Sequence, residues 1–239
     1  EQHRDKNHPQ LRIKICVLGD ACVGKTTIIK HLQFNNRIPK EVYAATVGPD
    51  VVTLHLNRLY EDRFAVSINI FDIPGDISQK DVWKSQYKCH GAVLVCDVTR
   101  RDTLKTLETE WYGALKQYGL HGSESVVLCN KIDLSTDSED QIFKDAERFS
   151  TKYDLSLFYT SALTGKNVQT MFNQLVLCIL NNSVLLNRLK ENRDVDKVNA
   201  SSRNEPTIIL GPGTITLSEK TKVNGNKKIK KVQTKSSCC

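Results

Sequence analysis

Gly19-Asp20-Ala21-Cys22-Val23-Gly24-Lys25-Thr26 sets two glycines, a lysine and a hydroxyl at the spacing GxxxxGK(S/T). That combination suits a phosphate chain. The glycines let backbone N–H groups close round anionic oxygens, Lys25 reaches the outer phosphates, and the Thr26 hydroxyl can ligate Mg2+. Asp20, Ala21, Cys22, Val23, Gly24, Lys25, Thr26 and Thr27 are therefore the phosphate-binding candidates. Further on, Asn130-Lys131-Ile132-Asp133 follows an apolar run and supplies a base reader. A carboxylate at Asp133 can accept both the ring N–H and the amino group of guanine, a donor pair that adenine lacks. Ser161-Ala162-Leu163 is placed to offer a backbone N–H to the guanine carbonyl. Asp72-Ile73-Pro74-Gly75 puts an acid at the end of a strand, where it can help hold Mg2+ opposite Lys25, and a glycine whose N–H can approach the terminal phosphate. Thr46 would add a second Mg2+ hydroxyl from a loop that orders when a third phosphate is present. Each stretch also has a bland reading, as a chance loop, a surface tetrapeptide or an Asp-Pro-Gly turn. Their order along one chain argues for a guanine nucleotide, GTP or GDP, bound with Mg2+.

The elements that must position these residues alternate in type. Leu11 to Leu18, Gly91 to Cys96, Ser125 to Cys129 and Leu157 to Tyr159 are short β-rich runs of the kind buried on both faces. Val51 to Leu56 and Phe64 to Phe71 alternate more like a hairpin across Asn57 to Arg63. Helical patterns fall between them, at Lys25 to Phe34, Thr103 to Tyr118, Glu139 to Tyr153 and Val168 to Leu180. The order is α/β, one antiparallel hairpin on an otherwise parallel sheet, with no internal repeat.

The chain has 239 residues, enough for one sizeable core and an appendage. No stretch approaches a membrane span, and Glu1 to Asn7 is not a secretory signal, so the expectation is an intracellular protein. The chain opens at Glu1 without an initiator methionine, and nothing about N-terminal acylation is read from it. Cys16, Cys22, Cys89, Cys96, Cys129 and Cys178 are scattered, without the spacing of a zinc site, and read as reduced thiols. The net charge of +7 lies wholly in the last stretch, where 12 basic residues face 5 acidic ones from Asn187 onward. Lys220, Lys222, Lys227, Lys228, Lys230, Lys231 and Lys235 follow one another without an acid. Such a run is a solvated tail or an arm for a polyanion. The lysines lack interleaved aromatics, which argues against nucleic acid as the partner.

Taken together, Gly19 to Thr26, Tyr43-Ala44-Ala45-Thr46-Val47-Gly48, Asp72 to Gly75, His90-Gly91-Ala92, Cys96-Asp97-Val98-Thr99, Asn130 to Asp133 and Ser161-Ala162 resemble a Rab-type small GTPase of the Ras superfamily. The resemblance covers roughly Leu11 to Asn182. The Asn57 to Arg63 connection and the wording Asp72-Ile73 are similar to the Rab branch linked to lysosome-related organelles. The implied fold is a P-loop NTPase, three-layer α/β/α, with a six-stranded mostly parallel sheet and one antiparallel edge strand. The implied activity is GTP hydrolysis, with Lys25 and Gly75 at the terminal phosphate. The implied role is a switch in vesicle trafficking.

Departures from the family pattern bear on that activity. Asp76 stands where a glutamine usually orients the attacking water, and a carboxylate offers no amide donor and adds negative charge. Pro74 replaces the usual alanine and restricts Ile73, so slow hydrolysis in a stiffer switch II is expected. Lys25 to Thr46 is about two residues longer than usual, with Phe34 the nearest candidate for the aromatic that packs on guanine. Leu163, Val51 and Phe71 also differ from the common residues, the last two on the effector face.

The chain ends Cys238-Cys239, which resembles the Rab signal for double geranylgeranylation. The competing readings are a nuclear-localisation run at Lys227 to Lys231 and a plain tail with free thiols. Domain boundaries are expected at an N-terminal extension 1–10, a nucleotide-binding domain 11–186 and a basic tail 187–239, flexible from 191. By resemblance the partners are an exchange factor, a GTPase-activating protein, a prenylation escort, a dissociation inhibitor and effectors. The place is the cytoplasmic face of intracellular membranes, with a cytosolic pool. The alternative is a Rab-like scaffold that binds nucleotide without useful turnover.

Overall fold

β1 (Gln10–Leu18) lies in the middle of the sheet, in parallel with β3 (Ala65–Asp72) on one side and β4 (Gly91–Asp97) on the other. The computed structural model describes residues 9–34, 46, 48–56, 60, 64–135, 140–192 and 208–209. Beyond β4 come β5 (Glu124–Asn130) and β6 (Ser156–Tyr159), both parallel. Beyond β3 comes β2 (Asp50–His55), which is antiparallel to it. The expected six strands and their one antiparallel member are thus present. A two-residue strand, β7 (Ile208–Ile209), pairs in parallel with Leu54 and His55 on the outer side of β2.

Alternation along the central strands makes two cores, one on each face. Leu11, Ile13, Ile15 and Val17 of β1 pack on α1 (Lys25–Phe34), α5 (Val168–Asn181) and α6 (Ser183–Asn192). Cys16 and Leu18 point the other way, towards α2 (Arg101–Thr106), α3 (Tyr112–Tyr118) and α4 (Asp140–Lys152). β4 is buried along its whole length, which explains why its sequence reads as a continuous apolar run. The layers are therefore helix, sheet, helix. Because β1 has neighbours that connect to opposite halves of the sheet, its carboxyl end is the topological switch point, and the phosphate-loop candidate leaves from there.

Three details differ from the sequence expectation. The helix expected over Thr103 to Tyr118 starts at Arg101, and the π turn Leu107–Trp111 divides it into α2 and α3. A 3-10 helix, Ile77–Trp83, follows Asp76. Finally α6 carries regular structure to Asn192, with Leu185 and Leu189 buried four residues apart in the first core. Leu185 and Leu189 within Ser183 to Asn192 are a weak periodic signal against the charged residues around them. They are nevertheless in contact with one core. Leu189→Ala should lower unfolding stability by about 2–4 kcal/mol, as expected for emptying a buried leucine site, measured by urea denaturation.

Candidate functional site

The turn after β1 is shaped by close approaches that admit only glycine. Gly19 has φ +145°, and a Cβ there would overlap the Val95 carbonyl oxygen; Gly24 has φ +101°, and a Cβ there would overlap Asn130 Nδ2. Cys22, exposed between them, takes the left-handed conformation with φ 64°. For a residue with a side chain that geometry costs about 1–3 kcal/mol and is characteristic of functional loops. The backbone thus curls into a cradle. Lys25, at the start of α1, is buried inside it and donates its ammonium to the carbonyls of Gly19 at 2.8 Å and Asp20 at 2.7 Å. Burial brings its pKa down to about 8 against the pull of Asp72 and Asp20. The lysine is held ready and only partly satisfied as a cation.

The three residues expected at the metal come together. Thr26 Oγ1 donates to Asp72 Oδ2 at 2.5 Å and lies 3.1 Å from Thr46 Oγ1, which is itself 3.5 Å from Asp72 Oδ2. Asp72 is buried, its carboxyl is pushed upward by that burial, and its Oδ1 has no hydrogen-bond partner among the described residues. An orphaned carboxylate oxygen beside two hydroxyls is a hard all-oxygen set, so Thr26, Thr46 and Asp72 fit Mg2+. Tyr43, Ala44, Ala45 and Val47 lie outside the described residues.

Gly75 presses on the loop from the other side, where a Cβ would overlap the backbone at Asp20 and Ala21. Its neighbour Asp76 is exposed and caps the 3-10 helix. It accepts from Ser78 N at 3.0 Å, Ser78 Oγ at 2.7 Å and Gln79 Nε2 at 3.1 Å. The Ser78 bonds hold its carboxyl below the usual range.

On the base side, Asn130 ends β5 fully buried and joins three elements. Its Nδ2 donates to Val23 O at 2.8 Å, while its Oδ1 accepts from Ala162 N at 2.9 Å and Thr160 Oγ1 at 3.3 Å. The amide of Ala162 is therefore engaged by Asn130. Lys131 adopts φ 67° and places Nζ 2.7 Å from Asp97 Oδ2. Burial alone would raise the Asp97 carboxyl, but Lys131 and Thr99 bring it below the ordinary range. Asp133 stands exposed in the 3-10 turn Ile132–Leu134. Ser161 is buried, its Oγ accepting from Thr164 N at 3.1 Å, and Leu163 is exposed. Phe34 ends α1, partly exposed. Cys238 and Cys239 lie outside the described residues, as does the lysine run.

Sequence reasoning assigned no role to Asp97 or Arg100. Arg100 donates Nη2 to Ala21 O at 2.9 Å and lies 3.4 Å from Asp97 Oδ2. The one signal for this pair was an acid ending a buried strand, followed closely by a base. No helix among the described residues is long and apolar enough to cross a membrane.

Residues 14–181 match the model of the Ras family. Among curated proteins, the chain is 29% identical to Ras-related protein Rab-19 of Homo sapiens over 170 residues, 70% of this chain and 75% of that protein. It is 28% identical to Rab-like protein 2A of Mus musculus, over 74% of each chain. It is also 34% identical to DnaJ homolog subfamily C member 27 of Bos taurus, over 71% of this chain and 62% of that longer relative. With this match over residues 14–181 and these relatives, the chain belongs to the Ras family, as a Rab-type small GTPase.

Proposed function

We propose that the chain binds GTP and GDP with Mg2+, hydrolyses GTP slowly, and works as a trafficking switch attached to the cytoplasmic face of intracellular membranes. The observation that carries this reading is Asn130, whose side chain ties the phosphate loop at Val23 to the base-side turn at Ala162. One residue thereby keeps the phosphate end and the base end of a nucleotide site in register. Asp133 accepts the guanine donor pair, and the Ser161-Ala162-Leu163 turn closes the base side. With the Ala162 amide given to Asn130, the Leu163 amide is the donor left for the guanine carbonyl.

At the phosphate end, Lys25 exchanges its two carbonyl partners for phosphate oxygens, an exchange favoured by its incomplete satisfaction. Asp20, Ala21, Cys22, Val23, Gly24, Thr26 and Thr27 surround the chain of phosphates through their amides and hydroxyls. Thr26, Thr46 and Asp72 would hold Mg2+, which supplies charge neutralisation between the outer phosphates. Gly75 brings its N–H to the terminal phosphate because nothing larger fits against Asp20 and Ala21.

Slow turnover follows from Asp76. Its carboxylate is occupied by Ser78 and Gln79, offers no amide donor, and adds charge where charge already accumulates. The Gln79 amide gives one of its two donors to Asp76. The same observation favours the second reading, a nucleotide-bound scaffold without useful turnover. Outside the described residues, Cys238 and Cys239 take two prenyl chains, each buried CH2 contributing about 0.8 kcal/mol, and the lysines add a weaker, salt-screened attraction. An exchange factor, a GTPase-activating protein, a prenylation escort, a dissociation inhibitor and effectors complete the cycle.

Three measurements test this. GTP and GDP should bind far more tightly than ATP, and Asp133→Asn should shift preference towards xanthine nucleotides; equal affinity of the native protein for ATP and GTP would refute the base assignment. Single-turnover phosphate release from preloaded protein should be slower than the roughly 3–5 × 10⁻⁴ s⁻¹ of Ras, with Asp76→Gln faster, each tenfold corresponding to about 1.4 kcal/mol. If native release equals that value, or Asp76→Gln slows it, another group positions the water. Replacing Cys238 and Cys239 by serine should move the protein from membranes to cytosol in fractionated cells, and unchanged fractionation would exclude the lipid anchor.

A further inference from the structure

The π turn Leu107–Trp111 has its characteristic bond where Tyr112 N donates to Leu107 O, five residues back. Such a turn holds one residue more than an α turn, and one residue rotates a helical side chain by about 100°. The direction of Trp111 depends on that extra residue. Its ring is fully buried, and Nε1 donates to Asp20 Oδ1 at 2.7 Å. The other end of the same helical stretch grips the next residue of the loop, through Arg100 Nη2 on Ala21 O. Asp20 meanwhile gives its own carbonyl to Lys25 at 2.7 Å.

We propose that Trp111 is a positioning residue for nucleotide binding, holding the Asp20 carboxylate against the helix, outside the cradle, so that the backbone N–H groups of the loop face the phosphates. The proposal rests on the nucleotide reading given above. The Trp111–Asp20 bond is a tether: it fixes the loop residue after Gly19 from the side away from Lys25, and losing either partner frees the loop. A phenyl ring fills similar space and provides no donor. Trp111 is therefore placed for its N–H as well as for its volume, and the π turn is the device that brings the N–H to the loop.

Trp111→Phe in the full chain should release a fluorescent GDP analogue about tenfold faster than native, the scale expected for losing a hydrogen bond to a charged acceptor. Asp20→Ala should accelerate release comparably, and the double variant should be no faster than the faster single one, since both remove one interaction. A second measurement needs no nucleotide. The chain has 2 tryptophans, so its NMR spectrum has two indole N–H resonances, and Trp83→Phe identifies the one from Trp111. That resonance should lie downfield, as for a carboxylate-bound indole, and move upfield in Asp20→Ala. An indole resonance indifferent to Asp20, additive effects in the double variant, or release from Trp111→Phe within about twofold of native would each overturn the positioning role. Absence of guanine-nucleotide binding by the native protein would overturn the nucleotide reading and this role with it. An indole that tracks Asp20 with native-like release would overturn the positioning role alone. If Trp111→Phe fails to fold, Asp20→Ala decides through both release and the indole shift.

Discussion

The hydrogen bonds of Asn130 are the constraint on which the rest of the site depends. The amide has a donor end and an acceptor end, and both are spent on groups that burial has removed from water. Val23 O and Ala162 N belong to turns far apart in sequence, each leaving the same edge of the sheet. Without a shared partner each would carry the penalty of an unsatisfied buried polar group, about 1–3 kcal/mol. With it, two independent turns become one rigid body. Gly24 is required by the same arrangement, since a Cβ at that position would occupy the space of the Asn130 amide.

The site is otherwise assembled from groups left deliberately short of ideal partners. Lys25 lies in a dry place with two carbonyls and no adjacent carboxylate bonded to it, and Asp72 keeps one oxygen without a hydrogen-bond partner among the described residues. Both carry desolvation that a multiply charged ligand and its counter-ion relieve. That is electrostatic preorganisation: the groups are oriented in advance by folding, so binding does not have to reorganise them. The fold tolerates the expense because two full cores, one on each face of the sheet, stabilise it elsewhere.

Much of this was legible in the sequence, for particular reasons. The buried strands are continuous apolar runs, and the glycine spacing of the loop is dictated by backbone geometry that few other residues can adopt. What escaped is what depends on tertiary direction. Nothing in Leu107 to Trp111 distinguishes a π turn from an α turn, since the choice is made by where Trp111 must point. Leu185 and Leu189 form too short a stripe, among charged neighbours, to announce α6. Asp76 was read for the amide it lacks, whereas the structure shows a helix cap. Its signal was present all along, an acid followed three residues later by Gln79, the spacing of a capping box.

The cap at Asp76 has a consequence for information. A molecular switch reports its state only through the free-energy difference between two conformations, and a partner discriminates by no more than that difference. Here the helix Ile77–Trp83 is nucleated from within, by Ser78 and Gln79 on Asp76, and owes none of those bonds to a ligand. A partner that recognises this helix finds it already formed and learns little from it about the ligand. Thr46 differs: its hydroxyl is placed by Thr26 and Asp72, groups whose oxygens fit a cation. One element is thus held by its own cap, and the other by groups that fit a metal ion.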